Sequence, residues 1–397
     1  MRTAGVRLVI AAVTACVAGV ASVAAADDRA TPDHAVADVA DVARRLGFSS
    51  GERPLVVTAP NGGSLSARAC GSCHRAVYDD WQTTRHRAAW DNAVFLDGLG
   101  REPLPRCVHC HAPLLEQKRE AGPLRGRQFT QLTRQPTEIS TESEPVPPGP
   151  TPTPAPGLLH EGVTCAVCHV RDGRVLTARN VAPDDGTPMH PITIEPALKD
   201  PAFCASCHQF GFSNSDALMQ GTWSEWRAWS DVGGQGTCQS CHMPGGRHLF
   251  RGAWDQDLLR RSLQVTVTRG PVLELRSVDV GHHFPTGDLF RHLTVEAASN
   301  TGNDGNDGND GNDDGDDGDD GAFVDIARIG RVFRGTGLDK HVVEDTSLIP
   351  GVPRSIHLPP GSRRWRVRYH YAEARHEAAG VVAPVVIAAG TVDVGPR

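Results

Sequence analysis

The sequence predicts an α+β chain. An irregular, mostly α-helical part with short helices and long loops is followed by an antiparallel β-sandwich-like domain. Two observations predict it. Between residues 70 and 242 the pattern Cys-x-x-Cys-His occurs five times. After residue 255 the cysteines stop, and short β-branched runs alternating with period two take over.

The five motifs are Cys70-Gly-Ser-Cys73-His74, Cys107-Val-His-Cys110-His111, Cys165-Ala-Val-Cys168-His169, Cys204-Ala-Ser-Cys207-His208 and Cys238-Gln-Ser-Cys241-His242. This spacing is the attachment signal of c-type haem. Two thiols add to the two vinyl groups of one porphyrin, and the next residue must reach the iron from the same side. An imidazole does so. Ten of the eleven cysteines sit in these motifs and only Cys16 is left over. A disulfide framework would not need a histidine after every pair, and zinc sites would not explain one spacing shared by all. The expected cofactor is therefore haem c, five groups, covalent, with His74, His111, His169, His208 and His242 as proximal iron ligands.

Met1–Ala26 reads as a secretory signal: Arg2 and Arg7, an apolar Leu8–Val23, then Ala24-Ala25-Ala26 before Asp27. Export to the periplasm is expected. Val13-Thr14-Ala15-Cys16 also resembles a lipoprotein box, which leaves lipid anchoring at Cys16 open. No further apolar run of membrane length occurs, so the mature chain is expected to carry no integral span.

Residues 27–60 are an N-terminal extension and 61–255 the pentahaem region. After the first motif, Val77, Trp81 and His86 fall near helical spacing, which would carry His86 to a neighbouring iron. Pro113 stops the helix of the second motif. Residues 141–156 form a Pro-rich connector, and 171–200 read as loop. Trp223, Trp226 and Trp229 lie on one helix face and are expected to pack against porphyrin or core.

The open axial position of each haem decides its chemistry. A second histidine gives a six-coordinate electron-transfer haem, and an open position permits substrate binding. His86, His160, His190, His248 and His282 are the candidate distal ligands, one for each haem. His109 lies inside a motif and is poorly placed. Met219 and Met243 are weaker alternatives.

From 256 to 397 the predicted strands begin near Leu263, Val272, Leu293, Ala322, Trp365 and Val381. Residues 301–321 are a low-complexity Gly/Asn/Asp loop, read as linker because its period matches neither an EF-hand nor a β-roll. The formal charge of −7 becomes −9 without residues 1–26, and nine Asp residues lie between Asp304 and Asp320. The remainder is near neutral, and nothing in the composition suggests a nucleic-acid binder. Aromatic residues are only 5%, so buried porphyrins would supply flat apolar surface that the side chains lack.

On these motifs the chain resembles a multihaem cytochrome c of the cytochrome c-554/c-prime family. Three local signatures add to the haem motifs: Trp81 through His86, Cys238 through Pro244 followed by His248, and Gly281-His-His-Phe-Pro-Thr-Gly287. The resemblance covers about residues 65–290. It implies closely packed haem pairs with mostly bis-histidine ligation, and it favours His282 over His283. Cytochrome c-554 carries four haems where this chain has five motifs. Pentahaem nitrite reductases typically end their catalytic motif in lysine, whereas all five here end in histidine. The expected function is electron carriage between redox partner proteins. The alternatives are an oxidoreductase acting on a small nitrogen or sulfur compound at one open haem, with its catalytic residues unknown, and an electron-transfer subunit of a respiratory complex.

Overall fold

A computed structural model of the chain describes residues 38–48, 53–124, 157–179, 189–211, 217–299 and 322–392. The expected signal segment 1–26 with Cys16, the connector 141–156 and the loop 301–321 lie outside these residues. The described residues belong to one compact unit.

The helical part is built from short pieces with strong local stops. Helix α1 (Val39–Arg45) starts at Asp38, whose carboxylate accepts from Ala40 N at 2.7 Å. Helices α2 (Ala67–Gly71), α3 (Arg75–Gln82), α4 (Ala93–Arg101), α5 (Pro105–His111) and α6 (Leu115–Ala121) follow. Helix α7 (Cys165–His169) runs into a small sheet, in which β1 (Val170–Arg171) pairs antiparallel with β2 (Arg174–Thr177) and β3 (Ile192–Ile194) pairs parallel with β2. Next come α8 (Pro201–His208), the short pair β4 (Phe210–Gly211) and β5 (Leu218–Gln220), α9 (Thr222–Asp231), α10 (Cys238–His242) and α11 (Gln256–Arg261). Pro105 and Pro201 stand in the first turns of α5 and α8, where a missing N–H costs nothing. The buried apolar side chains of this part fall into three small clusters rather than one core.

The β part does have one core. Strands β6 (Leu263–Thr268), β7 (Val272–Ser277), β8 (His292–Ser299), β9 (Val324–Arg334), β10 (His341–Asp345), β11 (Arg354–His357), β12 (Ser362–His370) and β13 (Val385–Thr391), with helix α12 (Ala374–Ala378) before β13, form two antiparallel sheets. Their orders are β10-β9-β8-β12-β13 and β11-β7-β6. Alternation works as expected: Leu273 and Leu275 of β7 and Trp365, Val367 and Tyr369 of β12 enter a core shared by both sheets. Strands β10 and β11 were not predicted. All five residues of β10 are exposed, and its charged His341–Asp345 sequence lacks the apolar face that marks a strand.

The two parts are joined by polar clasps. Arg331 donates to the carbonyls of Leu218, Met219 and Gly287. Lys340 Nζ lies 2.5 Å from Glu102, and Asp97 of α4 receives Arg375 at 2.5 Å and His376 at 3.1 Å. The loop between β7 and β8 is held to the β part by mutual Phe284–Leu348 backbone bonds of 2.9 Å.

Candidate haem sites

Residues i, i+3 and i+4 share one face of a helix. Cys-x-x-Cys-His therefore presents both thiols and the imidazole together when it folds as one turn. It does so in α5, α7, α8 and α10. In the first motif the helix ends at Gly71 and α3 begins just after His74. A Cβ on Gly71 would stand 2.5 Å from Tyr78 Cγ, so the close approach of α3 requires glycine there.

The histidines then form facing pairs. His74 faces His190 with ring centres 6.2 Å apart, His208 faces His86 at 6.3 Å, His169 faces His248 at 5.9 Å, and His242 faces His282 at 6.2 Å. Two imidazoles sharing one metal ion through nitrogen bonds of about 2.0–2.1 Å have ring centres about 6 Å apart. All four spans fit that distance.

Tautomer and charge fit as well. The Nδ1–H of His111 donates to Ala89 O at 2.8 Å, that of His169 to Leu176 O at 2.9 Å, that of His282 to His283 O at 2.9 Å, and that of His242 to Arg251 O. Each bond leaves Nε2 with its lone pair, the arrangement a metal ligand needs. Burial, with the neighbouring imidazoles His208, His242 and His111 acting in the same direction, pulls His86 down to about 3. Burial also brings His208 and His282 to about 4. These rings are neutral at physiological pH, as iron ligation requires.

Distal partners arrive from elsewhere in the chain, and three of them, His86, His248 and His282, have their own support. Helix α3 stops at Gln82, where Thr84 Oγ1 donates back to Trp81 O, and the turn beyond carries His86 to the fourth motif. Asp80 accepts from Arg247 at 2.5 Å and from His248 N at 3.2 Å, which fixes the loop that carries His248. The hydrogen bond from Arg247 holds the Asp80 carboxyl below its ordinary pKa. Glu225 of α9 accepts from His283 N at 3.2 Å and Thr286 Oγ1 at 2.5 Å, pinning the loop that carries His282. Trp229, one of the three stripe tryptophans, packs against the backbone of Gly234 and Gly281; a Cβ on either would stand within 3 Å of its ring. Phe250 sits edge-on to His86 (4.4 Å) and His248 (5.9 Å), at a φ of 43°. None of Asp80, Arg247, Glu225 and Phe250 stood out in the sequence, although Arg247 and Phe250 flank a candidate ligand closely.

The second motif differs. His111 stacks on Phe95 of α4, ring centres 3.7 Å apart and 5° from parallel. Among the described residues no second histidine stands opposite it. Every histidine except His34 and every methionine except Met1 lies among those residues. His160, the candidate expected to complete the set, is not brought to a motif histidine. Its Nδ1 sits 2.6 Å from Asp91, and its carbonyl accepts from Arg87. This places it beside the same 87–91 segment whose Ala89 carbonyl holds the far side of the His111 ring. His109 is buried beside Cys110 and Cys207, facing Phe48 and Leu55. The Met219 carbonyl serves Arg331.

The motifs also touch one another. Thiols approach to hydrogen-bonding contact between Cys70 and Cys165, Cys110 and Cys207, and Cys204 and Cys238. The first motif therefore adjoins the third, and the fourth adjoins both the second and the fifth. The Cys165 contact pulls the Cys70 thiol down to about 7.

The family described as outer membrane cytochrome MtrC/MtrF-like, domains II/IV, matches residues 100–251. No curated protein sequence matches the chain. The crystal structure of a penta-heme cytochrome c552 from Thermochromatium tepidum is similar in fold, with a TM-score of 0.56 and 19% identity, covering 82% of this chain and 98% of that one. Among the described residues no helix is long and apolar enough to cross a membrane. The family match falls within the helical part, and the structural likeness is one of fold.

Proposed function

We propose that the chain is an exported cytochrome that binds five covalent haems c and carries electrons between redox partner proteins. The observation that carries this reading is the set of four histidine pairs, each spaced for one iron. The thioether ligands are Cys70, Cys73, Cys107, Cys110, Cys165, Cys168, Cys204, Cys207, Cys238 and Cys241. His74, His111, His169, His208 and His242 are the proximal ligands, and His190, His86, His248 and His282 the distal ones. When bound, haem supplies one-electron chemistry at an iron whose potential follows its axial ligands and burial. The protein holds the His111, His169, His242 and His282 imidazoles in a fixed orientation through backbone carbonyls, so that little moves there when an electron passes. The thiol contacts between motifs bring successive sites together, with the fourth motif as the junction.

The test is electron paramagnetic resonance of the oxidised protein, with total haem counted as the pyridine haemochrome. Five haems with four low-spin signals are expected, plus one high-spin signal from the second motif. Fewer than five haems, or fewer than four low-spin signals, would overturn the assignment.

The isolation of His111 favours a second reading, in which the second haem reacts with a small nitrogen or sulfur compound while the other four deliver electrons. Reduction of nitrite, hydroxylamine or sulfite by the reduced protein, abolished by carbon monoxide bound at the high-spin haem, would establish it. Absence of a high-spin signal would sink it.

A further inference from the structure

Helix α4 stands between the second motif and the β part, and both hold it. On one side, Phe95 stacks on the His111 ring at 3.7 Å, while Leu96 and Leu99 pack with Val108 of α5 and with Ala112 just after it. Asp97 points elsewhere, because residues two apart on a helix do not share a face. Its carboxylate pairs with Arg375 Nη1 at 2.5 Å and accepts from His376 Nε2 at 3.1 Å, both on α12. Arg101 of α4 itself adds a third contact at 3.1 Å. Just past the helix end, Glu102 accepts from Lys340 Nζ at 2.5 Å and from Gly337 N at 3.1 Å, in the turn between β9 and β10. The β part therefore grips α4 at its middle and at its end.

Two observations separate this joint from an ordinary surface staple. The first is its enclosure. His376 is 1% exposed and Asp97 10%. The His376 Nε2–H goes to Asp97, and its Nδ1 is enclosed with no hydrogen-bond partner. A buried ring nitrogen left unpaired is unfavourable, yet the chain keeps one where α12 meets α4. Burial works against the Asp97 charge, and the bonds from Arg375, Arg101 and His376 outweigh it and hold the carboxyl below its ordinary pKa. The second observation is what lies on the other side of the helix. His74, His169, His208 and His242 each face a second imidazole at the span of one iron. His111 faces none among the described residues, so its orientation depends on two contacts of its own, Ala89 O at Nδ1 and the Phe95 ring on its face.

We propose that Asp97, Arg375 and His376 are positioning residues for the second haem: the β part sets α4, α4 sets Phe95, and Phe95 sets the plane of the His111 ring. A phenyl face 5° from parallel blocks rotation of the imidazole about its bond to iron. Supports of this kind, one step out from a metal ligand, orient the ligand and tune the metal. None of the three residues is among the haem ligands; they act on His111 through α4. This role rests on the reading of His111 as the proximal ligand of a haem whose other axial position is open. It gives the β part a task in haem chemistry, since a loosened joint would change how tightly that open position takes a ligand.

The test compares the complete holoprotein with its Phe95→Leu, Asp97→Asn, His376→Ala and His376→Gln variants, haem being counted on the same samples. Electron paramagnetic resonance reads the shape of the high-spin signal, and carbon monoxide titration of the reduced protein reads the affinity of the open position. Phe95→Leu is expected to alter the high-spin signal and to change that affinity about tenfold, the size typical of losing an outer support of a metal ligand. Asp97→Asn and His376→Ala should move both readouts in the same direction by less, with five haems and four low-spin signals kept. His376→Gln, whose amide can donate to Asp97, should return both toward the parent. Readouts that change in Phe95→Leu alone, or in no variant, overturn the positioning role. Loss of the low-spin signals together with the high-spin one also overturns it, because the joint would then be a general staple. Five low-spin signals in the parent would instead overturn the open-site reading on which the role rests.

Discussion

His282 and His283 are adjacent in one loop, but their surroundings differ. His282 Nδ1–H is taken by the His283 carbonyl, and its ring faces His242. His283 Nδ1 lies 4.0 Å from Glu225 and 3.9 Å from Asp345, turned toward carboxylates. His282→Ala is therefore expected to convert one of the four low-spin haems to high-spin, read by electron paramagnetic resonance, with the others unchanged. His283→Ala should leave all four low-spin. The same signal count in both variants would refute the distinction. Single-residue chemistry of this kind was largely legible in the sequence where a motif carries it. The five cysteine pairs and their histidines are fixed by local spacing. Which distal histidine meets which motif was not legible, because His190, His86, His248 and His282 cross between distant segments. His160 shows the limit. It reads as a ligand by residue type and neighbourhood, yet its Nδ1 is paired with Asp91 and its carbonyl accepts from Arg87.

The loop Val280–Gly287 depends on α9 for its shape. Gly281 packs on Trp229, where a methyl group would stand 2.7 Å from Cζ3. Gly281→Ala must displace the indole or the loop, an overpacking change that typically costs about 1–3 kcal/mol. A lower melting temperature is expected, together with partial loss of the low-spin signal that His282 supports; an unchanged spectrum would show that the loop adjusts independently. The strand pair β8–β12 supplies a pH dependence. His292 and His370 stack with ring centres 4.3 Å apart, and burial brings His292 down to about 4. Its folded pKa lies below the unfolded value of about 6.5, so the unfolded chain binds more protons between them. Stability from this ring is complete above about pH 6.5 and is lost as pH falls toward 4. His292→Gln should flatten the fall in melting temperature between pH 7.5 and 5, by on the order of 1 kcal/mol because the ring is only part-buried. An identical slope in parent and variant would refute the assignment. Strands such as β7 and β12 were legible from alternation, since one face enters the core. β10 was not, since neither face does.

At the scale of the whole molecule, the buried apolar side chains of the helical part form three small clusters among the described residues, two of which include residues of the second and third motifs, Val108, Ala166 and Val167. The sites are strapped to one another. The segment after the first motif supplies His86 to the fourth, the segment after the fifth supplies His248 to the third, and the loop before β8 supplies His282 to the fifth. The fourth motif touches both the second and the fifth through its thiols. This connectivity predicts unequal consequences of deleting single sites. A Cys204→Ser, Cys207→Ser double change removes the junction. It leaves His86 without a partner and opens the contacts to Cys110 and Cys238. A Cys107→Ser, Cys110→Ser change removes a site whose histidine faces no other, so its neighbours keep both ligands. The pyridine haemochrome should then show loss of more than one haem per chain in the first variant and about one in the second, with all four low-spin signals surviving only in the second. Equal losses would mean that the sites assemble independently, and that the straps transmit no stability from one haem site to the next.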